Sequence, residues 1–173
     1  SAASDVYKRQ MQNRIANILK KNVSGISWLG TFHSISAKFL RKHAKAVGLN
    51  YNFTIIDRDD QLRLIKNLCK SENIDIKKIS PNYILSIIDK WKNKGWYPNE
   101  VKNVKLDNLE KQFLKIYTIY QQKLIDLNTC DFGDLLLHCV KLFENNKDIA
   151  EMYSKNFKYI LVDEYQDTNV IPV

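Results

Sequence analysis

Acidic residues are almost absent from the first third of this 173-residue chain. Asp5 is the only one before Asp57, whereas lysine and arginine supply nine positive charges over the same stretch. From Asp57 onward the acidic and basic residues balance, so the whole net charge of +8 resides in the first third. A local field of one sign attracts polyanions and predicts salt-dependent binding to phosphate backbones. A solvated basic helix face explains the same charges, and composition alone does not choose between the two.

Long apolar runs and cysteine motifs are also missing. No run of roughly 18 apolar residues exists, and residues 1–10 lack the basic segment and apolar run of a signal peptide. The sequence therefore predicts no membrane partner, and we expect a cytoplasmic protein. Cys69, Cys130 and Cys139 have unrelated spacings, which argues against a zinc site or a disulfide framework and predicts small core residues.

The most informative stretch lies near the C-terminus. Tyr159 to Val162 form a short, continuous apolar run, which predicts a strand buried on both faces of a parallel sheet. Asp163 and Glu164 follow at once, and ligands bind beyond the carboxyl ends of strands in open α/β sheets. A carboxylate pair at that position suits a hydrated Mg²⁺ ion on nucleotide phosphates. The alternative interpretation is a surface turn that begins after a core strand.

A second stretch, Gly30-Thr31-Phe32-His33-Ser34, precedes a basic helical pattern. Its hydroxyl groups and the helix N-terminus can hold phosphates, its aromatic ring can support a base, and Lys38 and Arg41 extend the positive track. The structural alternative makes the hydroxyl residues N-caps, the phenylalanine a core ring and the histidine a hydrogen-bonded core side chain. The residues alone leave both interpretations open.

The rest of the chain shows mainly helical spacing of its apolar residues. The pattern predicts an irregular tail at 1–10, strands at 26–29 and 52–56, and helices at about 11–20, 35–47, 57–70, 81–94, 107–128, 131–144 and 148–153. Apolar and aromatic positions at helical spacing predict a core rather than a base-stacking surface. Trp96 and Tyr97 beside Lys90, Lys92 and Lys94 are a weaker candidate for a nucleic-acid contact.

Two strings, read in full, resemble motifs of a known family. Val-Asp-Glu-Tyr-Gln-Asp-Thr-Asn at 162–169 closely resembles motif II of UvrD/Rep/PcrA-type superfamily 1 DNA helicases, and Gly30 to Ser34 is similar to motif Ib of the same family. Asp-Phe-Gly-Asp-Leu-Leu at 131–136 also looks like the segment that returns the helicase chain from its inserted helical subdomain to the ATPase core. The three strings occur in the order of the family.

The resemblance implies roles for individual residues. Asp163 would hold Mg²⁺, Glu164 would activate the water that attacks ATP, and Gln166 would sense the γ-phosphate and couple it to the DNA-binding face. Single-stranded DNA would be contacted by the motif Ib residues, with two basic residues extending the track: Thr31, Phe32, His33, Ser34, Lys38 and Arg41.

The fold implied by the resemblance is α/β. A partial RecA-like P-loop NTPase core with a parallel sheet would occupy residues 11–56 and 157–173, and a mainly α-helical inserted subdomain would occupy 57–156. Residues 1–10 do not match the family pattern and form a non-matching tail. The parent would be an ATP-dependent 3′ to 5′ DNA helicase that translocates on single strands in DNA repair, replication or recombination. Its partners would be single-stranded DNA, single-strand to duplex junctions and the remainder of the helicase chain.

The chain contains no Gly-x-x-x-x-Gly-Lys-Ser/Thr loop for nucleotide phosphates, and we find no second RecA-like domain in it. We therefore expect the 173 residues alone neither to hydrolyse ATP nor to unwind DNA. Two alternatives from other classes remain: a non-catalytic module that binds single-stranded nucleic acid without a nucleotide, and a helical interaction domain whose Asp-Glu pair is only a turn.

Overall fold

A computed structural model describes residues 2–19 and 28–162 of the chain. This part is mainly helical, with one two-stranded parallel sheet and a 3₁₀ turn at Ala44–Val47. In chain order the helices and strands are α1 (Ala2–Leu19), α2 (Phe32–His43), β1 (Thr54–Ile55), α3 (Arg58–Ser71), α4 (Pro81–Asn93), α5 (Pro98–Val101), α6 (Asn108–Asp126), β2 (Thr129–Cys130), α7 (Phe132–Asn145) and α8 (Lys147–Asn156).

Local capping chemistry sets where several helices begin. Asp57 caps α3 by accepting a hydrogen bond from the Asp60 backbone N–H, 2.9 Å away. Ser80 caps α4 in the same way, and Pro81 occupies the first helical position, where its missing N–H costs nothing. Asp107 caps α6 through a reciprocal capping box. These starts confirm the boundaries predicted from the sequence.

The largest core lies among α3, α4 and α6. Their apolar stripes meet in one cluster, in which the side chains of Ile65, Ile88 and Tyr117 have no exposed surface. Fully burying an aliphatic side chain of this size contributes about 1.5 to 3 kcal/mol, so packing dominates the stability of these helices. The structure confirms the prediction that the aromatic positions of α6 belong to a core: Phe113, Tyr117 and Tyr120 are buried.

A second core brings residues 37–53 together with residues 125–135. Strand β1 pairs in parallel with β2, with Thr54 opposite Thr129, and helix α2 packs against α7. Leu40, Phe53 and Leu135 are buried between these elements. The sequence predicts a strand at 52–56 and the structure confirms it, but the partner strand β2 is too short to be recognised from its pattern.

A cluster of aromatic rings packs around Phe39 on α2. Phe39 stacks on Trp28 with ring centroids 4.6 Å apart, and the ring of Tyr153 meets Phe39 edge to face at 4.7 Å. Phe143 and Phe157 complete the cluster. Helices α7 and α8 are thereby fixed to α2 by ring packing.

Two predictions of local structure are wrong. Helix α1 begins at Ala2, well before Met11, because the alanine, glutamine and basic residues at 2–10 favour helix even without an apolar stripe. Residues 159–162 form no strand: Tyr159, Ile160 and Leu161 are 87%, 79% and 93% exposed. An isolated parallel strand cannot pair its backbone, and no neighbouring strand approaches it within 2–19 and 28–162. The predicted strand at 26–29 lies partly outside the described residues, and Trp28 and Leu29 are not in a strand.

The division into a core at 11–56 and 157–173 and a helical subdomain at 57–156 stays a prediction. Cys69, Cys130 and Cys139 are buried free thiols, as the sequence predicts, and burial raises the pKa of Cys139 to about 11. In the part of the chain that the structure describes, no helix has the length and apolar character needed to span a membrane.

Candidate nucleic-acid interface

The turn before α2 is built around a helix cap. Thr31 has an extended backbone, its hydroxyl accepts a hydrogen bond from the Ser34 backbone N–H at 3.3 Å, and the Ser34 hydroxyl donates to the Thr31 carbonyl at 2.9 Å. A Cβ on Gly30 would collide with the Ser34 hydroxyl, so glycine permits this close turn. The first turn of α2 contains no acidic residue, which leaves the positive end of the helix dipole available to an anion.

Three rings stand beside this turn. Phe32 is 52% exposed rather than a core ring, and Phe132 at the start of α7 is 54% exposed. The His33 ring meets that of Phe132 edge to face, with centroids 5.7 Å apart. We call Phe32, His33 and Phe132 the aromatic edge. Burial lowers the pKa of His33, so at neutral pH its ring offers hydrogen bonds rather than charge.

Sequence reasoning missed Phe132. It stands three residues before the buried Leu135 on the same helix, and that spacing predicts a core position. The residue is placed at the turn only because α7 packs against α2. Phe132 was therefore not detectable as a site residue from its local pattern.

The basic residues of α2 line a groove that is open to solvent. Its walls are Trp28, Ala37, Lys38, Arg41 and Lys42, and the Lys42 ammonium lies 4.9 Å from the centroid of the Trp28 ring. A positive groove with an aromatic side chain is the usual arrangement for single-stranded nucleic acid. Thr31 to Ser34 and the groove occupy successive parts of one helix.

Arg41 also has a structural role. Its guanidinium donates hydrogen bonds to the carbonyls of Tyr51, at 2.8 Å, and Phe53, at 2.5 Å. It lies 4.0 Å from the centroid of the Phe53 ring as well. Arg41 therefore fixes the segment that leads into β1 while its side chain remains exposed on the groove.

The predicted nucleic-acid contact around Trp96 is wrong for two of its residues, Lys92 and Tyr97. Lys92 is fully buried, and its ammonium lies 2.7 Å from carboxylate oxygens of both Asp131 and Asp134. Tyr97 bonds through its hydroxyl to His138 rather than facing solvent. Burial of Lys92 disfavours its charge, but the two carboxylates outweigh this effect and raise the pKa of the ammonium. These residues hold the fold together and do not face a nucleic acid.

The predicted catalytic residues Asp163, Glu164 and Gln166 lie outside the described residues. Within 2–19 and 28–162, no group of three histidine, cysteine or acidic side chains is placed to hold a metal ion. The roles of these three residues therefore stay predictions.

Known proteins resemble this chain along nearly all of its length. A family model described as the UvrD/REP helicase N-terminal domain matches residues 7–173. A probable DNA helicase II homolog of Rickettsia conorii is 41% identical over 169 residues, covering 94% of this chain and 25% of that protein. The ATP-dependent DNA helicase PcrA of Bacillus subtilis is 39% identical over 161 residues, covering 93% and 22% respectively. DNA helicase II of Haemophilus influenzae is 41% identical over 166 residues, covering 94% and 23%. The chain spans about a quarter of the length of these curated relatives.

Proposed function

The chain belongs to the UvrD/REP helicase N-terminal domain family, and on this premise we propose that it is part of an ATP-dependent 3′ to 5′ DNA helicase that translocates on single-stranded DNA. Its relatives are named DNA helicases, which supports DNA as the substrate. We extend the proposal to DNA repair, replication or recombination at single-strand to duplex junctions. We also place the protein in the cytoplasm.

ATP hydrolysis and unwinding are proposed for the whole protein. Asp163 would be a ligand of Mg²⁺, which would neutralise charge on the phosphates of ATP when bound. Glu164 would orient and deprotonate the attacking water, and Gln166 would contact the γ-phosphate. Residues 11–56 and 157–173 would belong to a RecA-like core with 57–156 as its helical subdomain. The 173 residues contain no glycine-rich loop with a lysine for the phosphates, so we expect no ATP turnover from them alone.

The observation that carries the proposal is the surface along α2. It combines a helix N-terminus without an acidic residue, an exposed Phe32 and a groove with three cationic side chains. The helix N-terminus and the cationic groove can bind phosphates, and a base can stack on Phe32. The excess positive charge of the first third of the chain also favours binding to phosphates.

Binding of a fluorescent single-stranded oligonucleotide by the full chain, followed over a range of salt concentrations, tests this surface. We expect affinity to fall steeply with salt, because bound cations release counterions from the phosphates. Phe32→Ala should weaken binding by about 1 to 3 kcal/mol without lowering the melting temperature. Tyr83→Ala is the matched control, since Tyr83 is 50% exposed but lies on α4. Equal losses from the two variants would contradict the proposed surface.

The non-catalytic alternative makes a different prediction for a longer version of the protein that includes the rest of the family's motifs. DNA-stimulated ATP hydrolysis that disappears in Glu164→Gln would support the helicase. Single-strand binding that is unaffected by ATP and Mg²⁺, with no hydrolysis, would instead support a passive binding module.

A further inference from the structure

The first turn of α7 carries Phe132 at the aromatic edge, and a capping box holds its backbone. Asp131 accepts a hydrogen bond from the Asp134 backbone N–H at 2.8 Å, and Asp134 accepts one from the Asp131 backbone N–H at 3.1 Å. Both aspartates are completely buried, whereas the ring between them in the chain is 54% exposed. The position of the Phe132 ring therefore depends on what holds the two aspartates.

Each aspartate uses one carboxylate oxygen for the capping box and the other for a neighbouring helix. Asp131 Oδ2 and Asp134 Oδ1 each lie 2.7 Å from the Lys92 ammonium on α4. On α6, the Tyr120 hydroxyl donates to the first of these oxygens and the Gln121 amide to the second, both at 2.9 Å. A capping box satisfies backbone groups within its own helix and does not fix where that helix lies. The bonds from α4 and α6 do so.

Lys92 makes the strongest of these connections. Its hydrogen bonds join a cation to two anions, and charge-assisted hydrogen bonds are roughly twice as strong as neutral ones. Its aliphatic stem also packs against the turn: a Cβ on Gly133 would lie 3.0 Å from Lys92 Cδ and 3.5 Å from Lys92 Cβ. Lys92 thus contacts the residues on both sides of Phe132. Its own side chain has no exposed surface, so it can act on a bound strand only through this turn.

We propose that Lys92 is a positioning residue for single-strand binding: it anchors the first turn of α7 and thereby keeps the Phe132 ring beside His33, where a base can stack. The inference rests on the proposed function, because it concerns the surface along α2. The two rings meet edge to face with centroids 5.7 Å apart, so a displaced turn changes this contact.

Nuclear magnetic resonance of the His33 ring in the full chain, without nucleic acid, tests the anchoring step. The Phe132 ring current shifts the His33 signals, and Phe132→Leu, which removes the ring, gives the size of that shift. We expect Lys92→Met to move the signals toward their positions in Phe132→Leu. Lys90→Met, on the exposed face of α4, should leave them unchanged.

Gly133→Ala offers a second route that keeps every charge, since Lys92→Met leaves two buried carboxylates without their cation. Alanine normally stabilises a helix relative to glycine. Here its Cβ presses on a lysine stem whose end is held by two carboxylates, so the turn has to move. We expect the His33 signals to move in this variant as well. Unchanged His33 signals in whichever of the two variants are folded overturn the proposal.

Binding of a fluorescent single strand tests the consequence, at a temperature where circular dichroism shows each variant folded. Phe132→Ala should weaken binding about 5- to 150-fold, the range for the loss of one stacked base. Lys92→Met should weaken it at least about fivefold, yet change affinity for an abasic strand of equal length less than about twofold. Added to Phe132→Ala, it should cause no further loss. An equal loss for the abasic strand, or an equal loss in both backgrounds, shows a general effect on the fold and overturns the proposal.

Phe32→Ala separates this proposal from the one on which it rests. If Phe32→Ala weakens binding and Lys92→Met does not, the surface along α2 stands and the positioning role of Lys92 is wrong. If neither variant weakens binding, the surface itself is wrong, and the positioning role is wrong with it.

Discussion

Lys92 and Asp134 form an ion pair without any exposed surface: Nζ lies 2.7 Å from Oδ1, and both side chains are completely buried. The same ammonium donates another hydrogen bond to Asp131, and the Tyr120 hydroxyl also donates to Asp131, at 2.9 Å. Burial opposes the charge of Asp134, but the Lys92 ammonium outweighs it and lowers the pKa of that carboxyl. Helices α4, α6 and α7 are joined at this one point.

Lys92→Met should lower the free energy of unfolding by more than a substitution on the surface does. The two carboxylates would remain buried without their cation, and removing one partner of a buried pair costs about 3 to 5 kcal/mol. Urea denaturation measures the loss. Lys90→Met on the exposed face of the same helix is the control, and a loss for Lys92→Met no larger than the control would show that the pair is dispensable.

Gly48 ends the 3₁₀ turn with a left-handed backbone, φ +79°. A Cβ there would meet only Ile125, at an ordinary 3.9 Å, so Gly48→Ala should cost backbone strain and no packing. We expect a loss of about 1 to 2 kcal/mol. Gly48→Asn should cost less, because asparagine tolerates this conformation. Thermal unfolding compares the two, and equal losses would point to a steric cause instead.

His138 should make the fold sensitive to mild acid. Its folded pKa is lowered, chiefly by burial, so its contribution to stability is complete above the unfolded value of about 6.5 and is lost as pH falls through the folded value. Asp134 and Asp131 favour its protonation and Lys92 opposes it.

We therefore expect the melting temperature of the wild type to fall more than that of His138→Gln when pH is lowered from about 7.5 to 6. The comparison between the two proteins cancels the titration of groups they share. Parallel pH profiles would contradict the assignment to His138.

Arg41 should prove to have two separable roles. Arg41→Lys keeps the charge but loses the hydrogen bonds to the two carbonyls and the contact with the Phe53 ring. We expect this variant to lower the free energy of unfolding by about 1 to 2 kcal/mol. Arg41→Gln should lose stability and, in addition, affinity for single strands. Lys42→Gln, on the groove wall, should lower affinity alone. An Arg41→Lys variant as stable as the wild type would exclude the structural role.

Sequence reasoning succeeded where the determinants are local. Asp57, Ser80 and Asp107 cap their helices through bonds to residues three positions later, so the signal and the structure occupy the same few residues. It failed where distant segments meet. Lys92 has the neighbours of a surface lysine, and its burial depends on carboxylates from α7. No local pattern encodes that pairing.

The candidate site shows the same contrast. The cap at Thr31 and the basic face of α2 follow from neighbouring residues, whereas the approach of Phe132 to His33 requires two helices to dock.

The parallel pairing of β1 with β2 has a consequence for how this protein can change. The chain leaves the sheet after Ile55 and re-enters it at Thr129, on adjacent strands about 4.8 Å apart. Helices α3 to α6 thus lie between two adjacent points of the chain. The loops that connect these helices can lengthen or shorten without moving β1 or β2.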